Sequence, residues 1–156
     1  MSKNAHLNRA KREKNDEFYT RYEDIEKELI NYDKKYFRDK VVYLPCDDVW
    51  SNFWKYFVDH FRDHGLRKLI ASHYEKDAET VKAYIYDGET VTEQVIPGDG
   101  DFRSEAVEPF WQEANLIITN PPFSLFIPFI QKIVDHNKLF LVLGHQNSIG
   151  YKGVFH

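Results

Sequence analysis

Several residue types and motifs are scarce or absent in this sequence, and each absence narrows what it can encode. The 156 residues hold one cysteine, Cys46, which excludes an internal disulfide and favours a reducing compartment. There is no Gly-x-Gly-x-x-Gly pattern, no phosphate-binding loop, and no serine or cysteine nucleophile with a convincing partner base. We find no signal peptide and no apolar run that approaches a membrane span, so we expect a soluble, cytoplasmic protein without a membrane partner.

An excess of basic charge is also missing, since 21 Lys and Arg face 25 Asp and Glu and the formal net charge is -4. Proteins that bind nucleic acid over their whole surface are usually basic, so any DNA contact must be local or carried by a missing part. Apolar and aromatic residues are plentiful, at 42% and 16% of the chain. They predict one domain with a real core and leave rings available to stack on a ligand.

Positive charge is concentrated at the N-terminus. Residues 1–14 are polar and basic and form, by our interpretation, a flexible segment ahead of a folded domain at 15–156. A frayed, solvated terminus and an arm that contacts the DNA backbone both fit this composition.

The rest of the chain is organised around Asn120-Pro121-Pro122-Phe123. Residues 116–119 predict a short buried strand, which the two prolines end, and apolar residues at helical spacing follow. A parallel sheet places its ligands at such turns. Asn120 offers an amide acceptor and donor, Pro121 and Pro122 offer carbonyl acceptors, and Phe123 offers a flat apolar face. The turn therefore suits a planar exocyclic amine, although a plain strand-ending turn is the other interpretation.

Strands alternate with helices through the remaining chain, which predicts a largely parallel α/β sheet with helices on both faces. The further predicted strands are 41–44, 69–72 and 139–143. Helices are predicted at 22–37, at 49–64 with Gly65 as its cap, from a Pro109-delayed start to about 113, and after the central turn to about 136. A hairpin is predicted at 81–96 around Asp87-Gly88.

The apolar spacing also predicts which side chains are buried. For helix 49–64 these are Trp50, Phe53, Trp54, Phe57, Val58 and Phe61. For the helix after the central turn they are Phe126, Phe129, Ile130, Ile133 and Val134. One half-buried face of the hairpin should carry Val81, Ala83, Ile85, Val91 and Val95.

Polar residues mark other turns. The first strand ends at Cys46-Asp47-Asp48, the usual cofactor position in an α/β domain, although Cys46 could be a small buried apolar residue and the aspartates helix caps. Residues 98–104 form an acidic, glycine-containing turn in which Ser104 could cap the next helix. His60 and His64 have metal-ligand spacing, but no third ligand is evident, so we predict no metal site.

Three stretches resemble a known family. Asn120-Pro121-Pro122-Phe123 after an apolar strand is similar to the (Asp/Asn/Ser)-Pro-Pro-(Tyr/Phe/Trp) catalytic motif of S-adenosylmethionine-dependent amino-methyltransferases. Residues 15–20, Asn-Asp-Glu-Phe-Tyr-Thr, resemble the segment by which many of these enzymes close over the methionine part of the cofactor. Most methyltransferases carry a glycine-rich turn after the first strand, whereas the glycine-free Cys46-Asp47-Asp48 is similar to that of the EcoRI-type adenine-specific DNA methyltransferases. The resemblance covers residues 15 to about 154.

The resemblance implies a Rossmann-like methyltransferase core and a set of site residues. The residues implied to hold S-adenosylmethionine are Phe18, Tyr19, Thr20, Cys46, Asp47, Asp101 and Phe102. Asp101 would accept a hydrogen bond from the cofactor's adenine, and Phe102 would pack on its plane. A flipped-out adenine of double-stranded DNA would enter beside the cofactor, its amine held by Asn120 and Pro121 and its ring stacked on Phe123.

The implied activity is site-specific transfer of a methyl group from S-adenosylmethionine to the exocyclic amine of adenine, as in restriction–modification. The alternatives are methylation of a cytosine amine or a protein glutamine, or a non-catalytic remnant that binds cofactor or DNA. Complete family members continue with further strands and a target-recognition region, so we expect the C-terminal part to be absent and the sheet to be incomplete. Self-association or a completing partner chain could then cover the exposed edge.

Overall fold

The computed structural model describes residues 20–121, 123–143 and 150–153. Its helices are α1 Tyr22–Leu29, α2 Asn52–Asp59, α3 Phe61–His64, α4 Glu108–Glu113 and α5 Phe126–Asp135, with 3-10 turns at Lys34–Tyr36, Glu105–Val107 and Phe123–Leu125. Its strands are β1 Val41–Leu44, β2 Lys68–Ala71, β3 Thr80–Tyr86, β4 Val91–Pro97, β5 Leu116–Thr119, β6 Leu139–Leu143 and β7 Gly150–Gly153. The predictions for 1–14, Phe18, Tyr19 and Pro122 lie outside the described residues.

The strands form one sheet in the order β4-β3-β2-β1-β5-β6-β7. The four central strands are parallel: Val42 of β1 aligns with Leu69 of β2 on one side and with Leu116 of β5 on the other. Strands β3, β4 and β7 pair antiparallel at the two sides. The predicted Rossmann-like α/β core is confirmed.

Successive side chains of the central strands point to opposite faces and enter two separate cores. In β1, Val42 and Leu44 pack with α1 and α2, whereas Val41 and Tyr43 pack with α4 and α5. All four are buried, as expected for a parallel strand covered on both faces. None of the helices among the described residues is long and apolar enough to cross a membrane.

The predicted helix 22–37 is wrong in its second half. It ends at Leu29, and Asp33 then begins a 3-10 turn by accepting a hydrogen bond of 3.0 Å from the Lys35 backbone N–H. An aspartate side chain competes in this way with helical backbone bonding. Phe37, which follows this turn, is buried in the core.

The second predicted helix begins three residues late. Ser51 caps α2 by accepting a 3.1 Å hydrogen bond from the Trp54 backbone N–H. Trp50 precedes this cap and is 77% exposed, so its prediction as a core residue is wrong. The helix is interrupted at His60 and resumes as α3, which ends at Gly65 in the predicted left-handed conformation.

The predicted hairpin is present, but the predicted face of β4 is wrong. Val81 aligns with Ile96, and both are buried. Val91 and Val95 align with Tyr86 and Lys82 and are 45% and 63% exposed. Because the turn between the strands fixes which residues align, it places these valines on the opposite face from Val81. In α5, Val134 is likewise exposed and not buried.

Candidate active site

The change of direction in the strand order defines the position of the site. The chain passes from β1 outward to β2, β3 and β4, then returns to form β5 on the other side of β1. A crevice opens at such a switch point, outside the carboxyl ends of the strands. The residues that follow β1, β2 and β5 therefore converge at one edge of the sheet.

The central motif lies at this edge. Strand β5 is completely buried and ends at Thr119, after which Asn120 is only 7% exposed and Pro121 is buried. A 3-10 turn at Phe123–Leu125 leads into α5. The predicted order of strand, turn and helix is confirmed, although Pro122 and the side chain of Phe123 lie outside what the structure describes.

Thr20 connects this motif to the turn after β1. The side-chain Nδ2 of Asn120 donates a hydrogen bond to the Thr20 hydroxyl. The side-chain Nδ2 of Asn52, the first residue of α2, donates to the Thr20 backbone oxygen at 3.0 Å. Predicted cofactor and catalytic residues that are 100 positions apart in the chain are thus brought into direct contact.

The turn after β1 is closed onto the end of β2. The Asp47 backbone N–H donates to the Ser72 carbonyl at 2.8 Å, and the Asp47 side chain is buried. Cys46 is partly buried and packs against the core on the α5 side. Asp48 accepts from the Trp50 backbone N–H at 2.8 Å, so the helix cap is Ser51 and the interpretation of these aspartates as caps is wrong.

The end of β2 contributes polar atoms that the sequence did not predict. The Ser72 hydroxyl lies 2.6 Å from the hydroxyl of Tyr43, and both side chains are buried. Burial raises the pKa of Tyr43 well above its ordinary value, so its hydroxyl stays protonated. Next to Ser72, the Nδ1 atom of His73 is buried without a hydrogen-bond partner among the described residues.

The acidic turn at 98–104 packs against this same strand end. A Cβ on Gly100 would lie 2.1 Å from the His73 carbonyl oxygen, and the backbone there has φ +78°, so the position requires glycine. Asp99 accepts a 3.0 Å hydrogen bond from the Asp101 backbone N–H. Ser104 makes no cap hydrogen bond, so its prediction as a side-chain cap is wrong.

Asp101 and Phe102 already have protein partners. Asp101 accepts from Arg103 through Nε at 3.0 Å and NH2 at 2.8 Å, and these hydrogen bonds hold the pKa of Asp101 below its ordinary range although burial raises it. Phe102 is 5% exposed and stacks on Phe129 of α5 with a centroid distance of 3.9 Å. Their predicted roles toward a cofactor adenine stay predictions.

A charged cluster fixes the helix that follows the motif. Glu108 of α4 pairs with Lys132 of α5 at 2.9 Å and with His136 just after that helix. Burial raises the pKa of Glu108, but hydrogen bonds from His136, Lys132 and Gln112 outweigh it and lower the pKa to about 2. Helix α5 is thereby tied to α4 behind the motif turn.

Of the two histidines weighed as metal ligands, His64 is buried in the packing of α2 and α3, and His60 is partly buried against Tyr56. Nε2 of His64 lies 2.7 Å from the Tyr56 hydroxyl, and its ring packs on Phe37 with centroids 4.3 Å apart. Burial lowers the pKa of His64 to about 4. Among the described residues, no group of three or more His, Cys, Asp or Glu could hold a metal ion.

Comparison with known proteins decides the family of this site. A family model described as "Adenine-specific methyltransferase EcoRI" matches residues 6–156. The chain belongs to this family. The range matched by the EcoRI methyltransferase family includes the motif turn and the glycine-free turn after β1.

Three curated relatives are similar to almost the whole of this chain. The Type II methyltransferase M.EcoRI of Escherichia coli is 41% identical over 178 residues, which cover 99% of this chain and 54% of the relative. M.MgeORF184P of Mycoplasma genitalium and M.MpnI of Mycoplasma pneumoniae, both Type II methyltransferases, are 40% and 39% identical over 151 residues, covering 96% of this chain and 47% of each relative. The chain spans about half the length of these relatives. No solved structure matches it.

Three polar residues at this EcoRI-family site lack a strong sequence signal. Asn52 is predicted as a helix residue and lies in a stretch, 51–53, that shares the family resemblance, but without a role of its own. Ser72 is predicted only as the end of a strand, and His73 follows it. The one available signal is that Ser72 and His73 interrupt an apolar strand at the edge where ligands bind. The contact of Asn52 with Thr20 depends on how the chain folds back and has no local signal.

Proposed function

We propose that residues 15–156 form the cofactor-binding and amine-binding parts of a DNA methyltransferase. The reaction would transfer a methyl group from S-adenosylmethionine to the exocyclic amine of adenine at a specific site, as in restriction–modification. The observation that carries this proposal is the buried amide of Asn120, which lies at the switch point of the sheet and is bonded to Thr20. Membership in the EcoRI family supports adenine as the methylated base.

The polar atoms of the crevice fit a cofactor with hydroxyl, amine and carboxylate groups. His73 Nδ1 and Ser104 Oγ are buried without partners among the described residues, on two segments that meet at Gly100. Buried polar atoms of this kind are normally hydrogen-bonded, and a small movement of either segment would let a ligand reach these two atoms. S-adenosylmethionine would supply an electrophilic methyl group there, with Thr20, Cys46, Asp47, Asp101 and Phe102 around it and Phe18 and Tyr19 closing over its methionine part.

The chain's own part in the reaction is to hold the amine. The Asn120 side chain and the Pro121 carbonyl would accept hydrogen bonds from the two N–H groups of the amine, which directs the nitrogen lone pair toward the methyl donor. Pro122 would keep the turn stiff, and Phe123 would stack on the base. The amine of adenine is inaccessible within a duplex, so the base would have to be flipped out of double-stranded DNA.

Exposed apolar side chains follow the three strands whose carboxyl ends lie at this edge of the sheet. Trp50 follows β1, Tyr74 follows β2 and Ile127 follows the motif turn after β5, and all three are more than half exposed. Aromatic and apolar groups at a site entrance suit the faces of nucleic-acid bases. This local surface would serve DNA contact although the whole chain has a net charge of -4.

The test is a calorimetric titration with S-adenosylmethionine, with and without an adenine-containing DNA, followed by a methyl-transfer assay. We expect Asn120→Ala to lower methyl transfer by about 10²-fold or more, as removal of a transition-state contact does, with cofactor affinity nearly unchanged. Asn31→Ala, at an exposed position, is the control. Equal loss of binding and turnover in Asn120→Ala would refute the assigned role.

The same assays separate the other candidates. Turnover on a cytosine amine or a protein glutamine, with none on adenine, would replace the proposed substrate. Cofactor binding without turnover on any of them would indicate a non-catalytic remnant or a chain that needs a completing partner or a second copy. Measurement of the molecular mass in solution, with and without DNA, distinguishes these last two.

A further inference from the structure

We infer that Thr20 is a positioning residue, whose hydroxyl sets the orientation of the Asn120 side-chain amide and thereby presents its oxygen to the substrate amine. The inference rests on the proposed function for the amine-binding step, but the contact itself is a feature of the fold. It assigns to Thr20 a role in orienting a catalytic side chain, in addition to its predicted place beside the cofactor.

The argument starts from the two ends of a carboxamide. One end of the Asn120 amide is an acceptor oxygen and the other is a donor NH2 group, and rotation about the last side-chain bond exchanges them. Only the oxygen can accept a hydrogen from an amine. With the NH2 group turned toward the substrate, two donors would face each other and the amine would not be held.

The structure shows which end is directed away. Nδ2 of Asn120 donates to the Thr20 hydroxyl, so the amide oxygen lies on the opposite side of the planar group. Asn120 is 7% exposed and directly follows a buried strand, so its side chain is enclosed by protein. A Thr20 hydroxyl that accepts from Nδ2 is suited to hold the amide in this orientation.

Thr20 is itself held by a second bond. Its backbone oxygen accepts from Asn52 Nδ2 at 3.0 Å, and Asn52 is the first residue of the capped helix α2. The backbone of Thr20 is therefore tied to the start of α2, which follows the turn that carries Cys46 and Asp47. This arrangement links the cofactor turn to the orientation of the amine acceptor.

The experiment compares Thr20→Val, which removes the hydroxyl at nearly constant shape, with Thr20→Ser, which retains it. Thr92→Val, at an exposed position of β4, is the matched control. We expect Thr20→Val to lower kcat about tenfold, the factor typical of one lost hydrogen bond, and to change KM for DNA and Kd for the cofactor by smaller factors. Thr20→Ser should lose less of the parent kcat than Thr20→Val, and Thr92→Val should retain it.

A second experiment replaces the Asn120 amide with a carboxylate, whose two ends are equivalent. A carboxylate offers an acceptor oxygen at both ends, so Asn120→Asp needs no partner to select one. Thr20→Val should therefore lower kcat far less in the Asn120→Asp background than in the parent chain. Equal losses in the two backgrounds, or a loss that Thr20→Ser does not restore, would overturn the inference.

A third arm does not depend on activity. The side-chain amide signals of Asn120 in a ¹⁵N-labelled chain are identified by their absence in Asn120→Ala. Thr20→Val should shift these signals and speed their exchange with water, whereas Thr20→Ser should preserve them. Unchanged signals in Thr20→Val would refute the positioning role. If the parent chain shows no methyl transfer while the signals respond as expected, the proposed function fails and the orienting contact stands.

Discussion

Substitution of Gly100 tests how closely the loop at 98–104 packs against the end of β2. In Gly100→Ala, the new Cβ would lie 2.1 Å from the His73 carbonyl oxygen, at a backbone φ of +78°. A left-handed conformation costs a non-glycine residue about 1–2 kcal/mol, and forced overlap in a packed region typically costs about 1–3 kcal/mol. We therefore expect the free energy of unfolding to fall by about 2–5 kcal/mol.

The neighbouring Gly98 supplies the control. It has φ +90°, yet a Cβ there would meet nothing within 4 Å. Gly98→Ala therefore carries the backbone strain without the overlap and should lose only about 1–2 kcal/mol. The difference between the two variants, measured by urea unfolding, isolates the packing of Gly100 against the end of β2.

The same pair of variants tests the cofactor site. Relief of a 2.1 Å overlap requires the loop that carries Asp101 and Phe102 to move, and a displacement of about 1 Å can lower the efficiency of a site about 10²-fold. We expect S-adenosylmethionine affinity, measured by calorimetry, to fall strongly in Gly100→Ala and little in Gly98→Ala. Equal stability and equal affinity in the two variants would show that this reasoning about the loop is wrong.

Two pH predictions follow from buried titratable groups. Folding lowers the pKa of His64 from 6.5 to about 4. Between these two pH values the unfolded chain binds a proton more readily than the folded chain. The free energy of unfolding should therefore fall by about 3 kcal/mol as the pH is lowered from 6.5 to about 4. Urea unfolding of His64→Gln should lack this slope; an unchanged slope would contradict the assignment. Glu108, with its pKa lowered from 4.5 to about 2, contributes stability above pH 4.5 that is lost as the pH falls toward 2. In Glu108→Gln, the unfolding temperature should depend less on pH between 4.5 and about 2. The same low-pH slope in Glu108→Gln would refute this.

Local sequence signals were sufficient for the elements around the site. The apolar run 116–119 followed by two prolines can form a buried strand and a stiff turn in almost any α/β context, and Gly65 ends α3 as predicted. The alternation of strands and helices was enough to predict a largely parallel sheet with helices on both faces, and the family resemblance implied that it is Rossmann-like. These features depend on residues within a few positions of one another, which is why sequence reasoning reached them.

The predictions that were wrong or missing concern residues whose burial or contacts depend on a distant or competing interaction. Trp50 fits the apolar stripe of a helix, but Ser51 caps that helix one residue later and leaves the indole outside. The burial of Val91 and Val95 depended on the alignment of β3 with β4, which the turn sets and the apolar pattern does not. The contacts of Thr20 with Asn52 and Asn120 require the strand order β2-β1-β5, which periodicity does not determine.

The glycine-free turn after β1 and the glycine-dependent loop after β4 belong to one arrangement. Glycine at a cofactor turn normally allows the backbone to approach the ligand closely. Here the turn after β1 is bonded through Asp47 to the Ser72 carbonyl, so its backbone is engaged with the end of β2. Close backbone packing occurs one residue further, where Gly100 fits against the His73 carbonyl. The steric requirement for glycine therefore lies on the loop that carries Asp101 and Phe102, and not on the turn after β1.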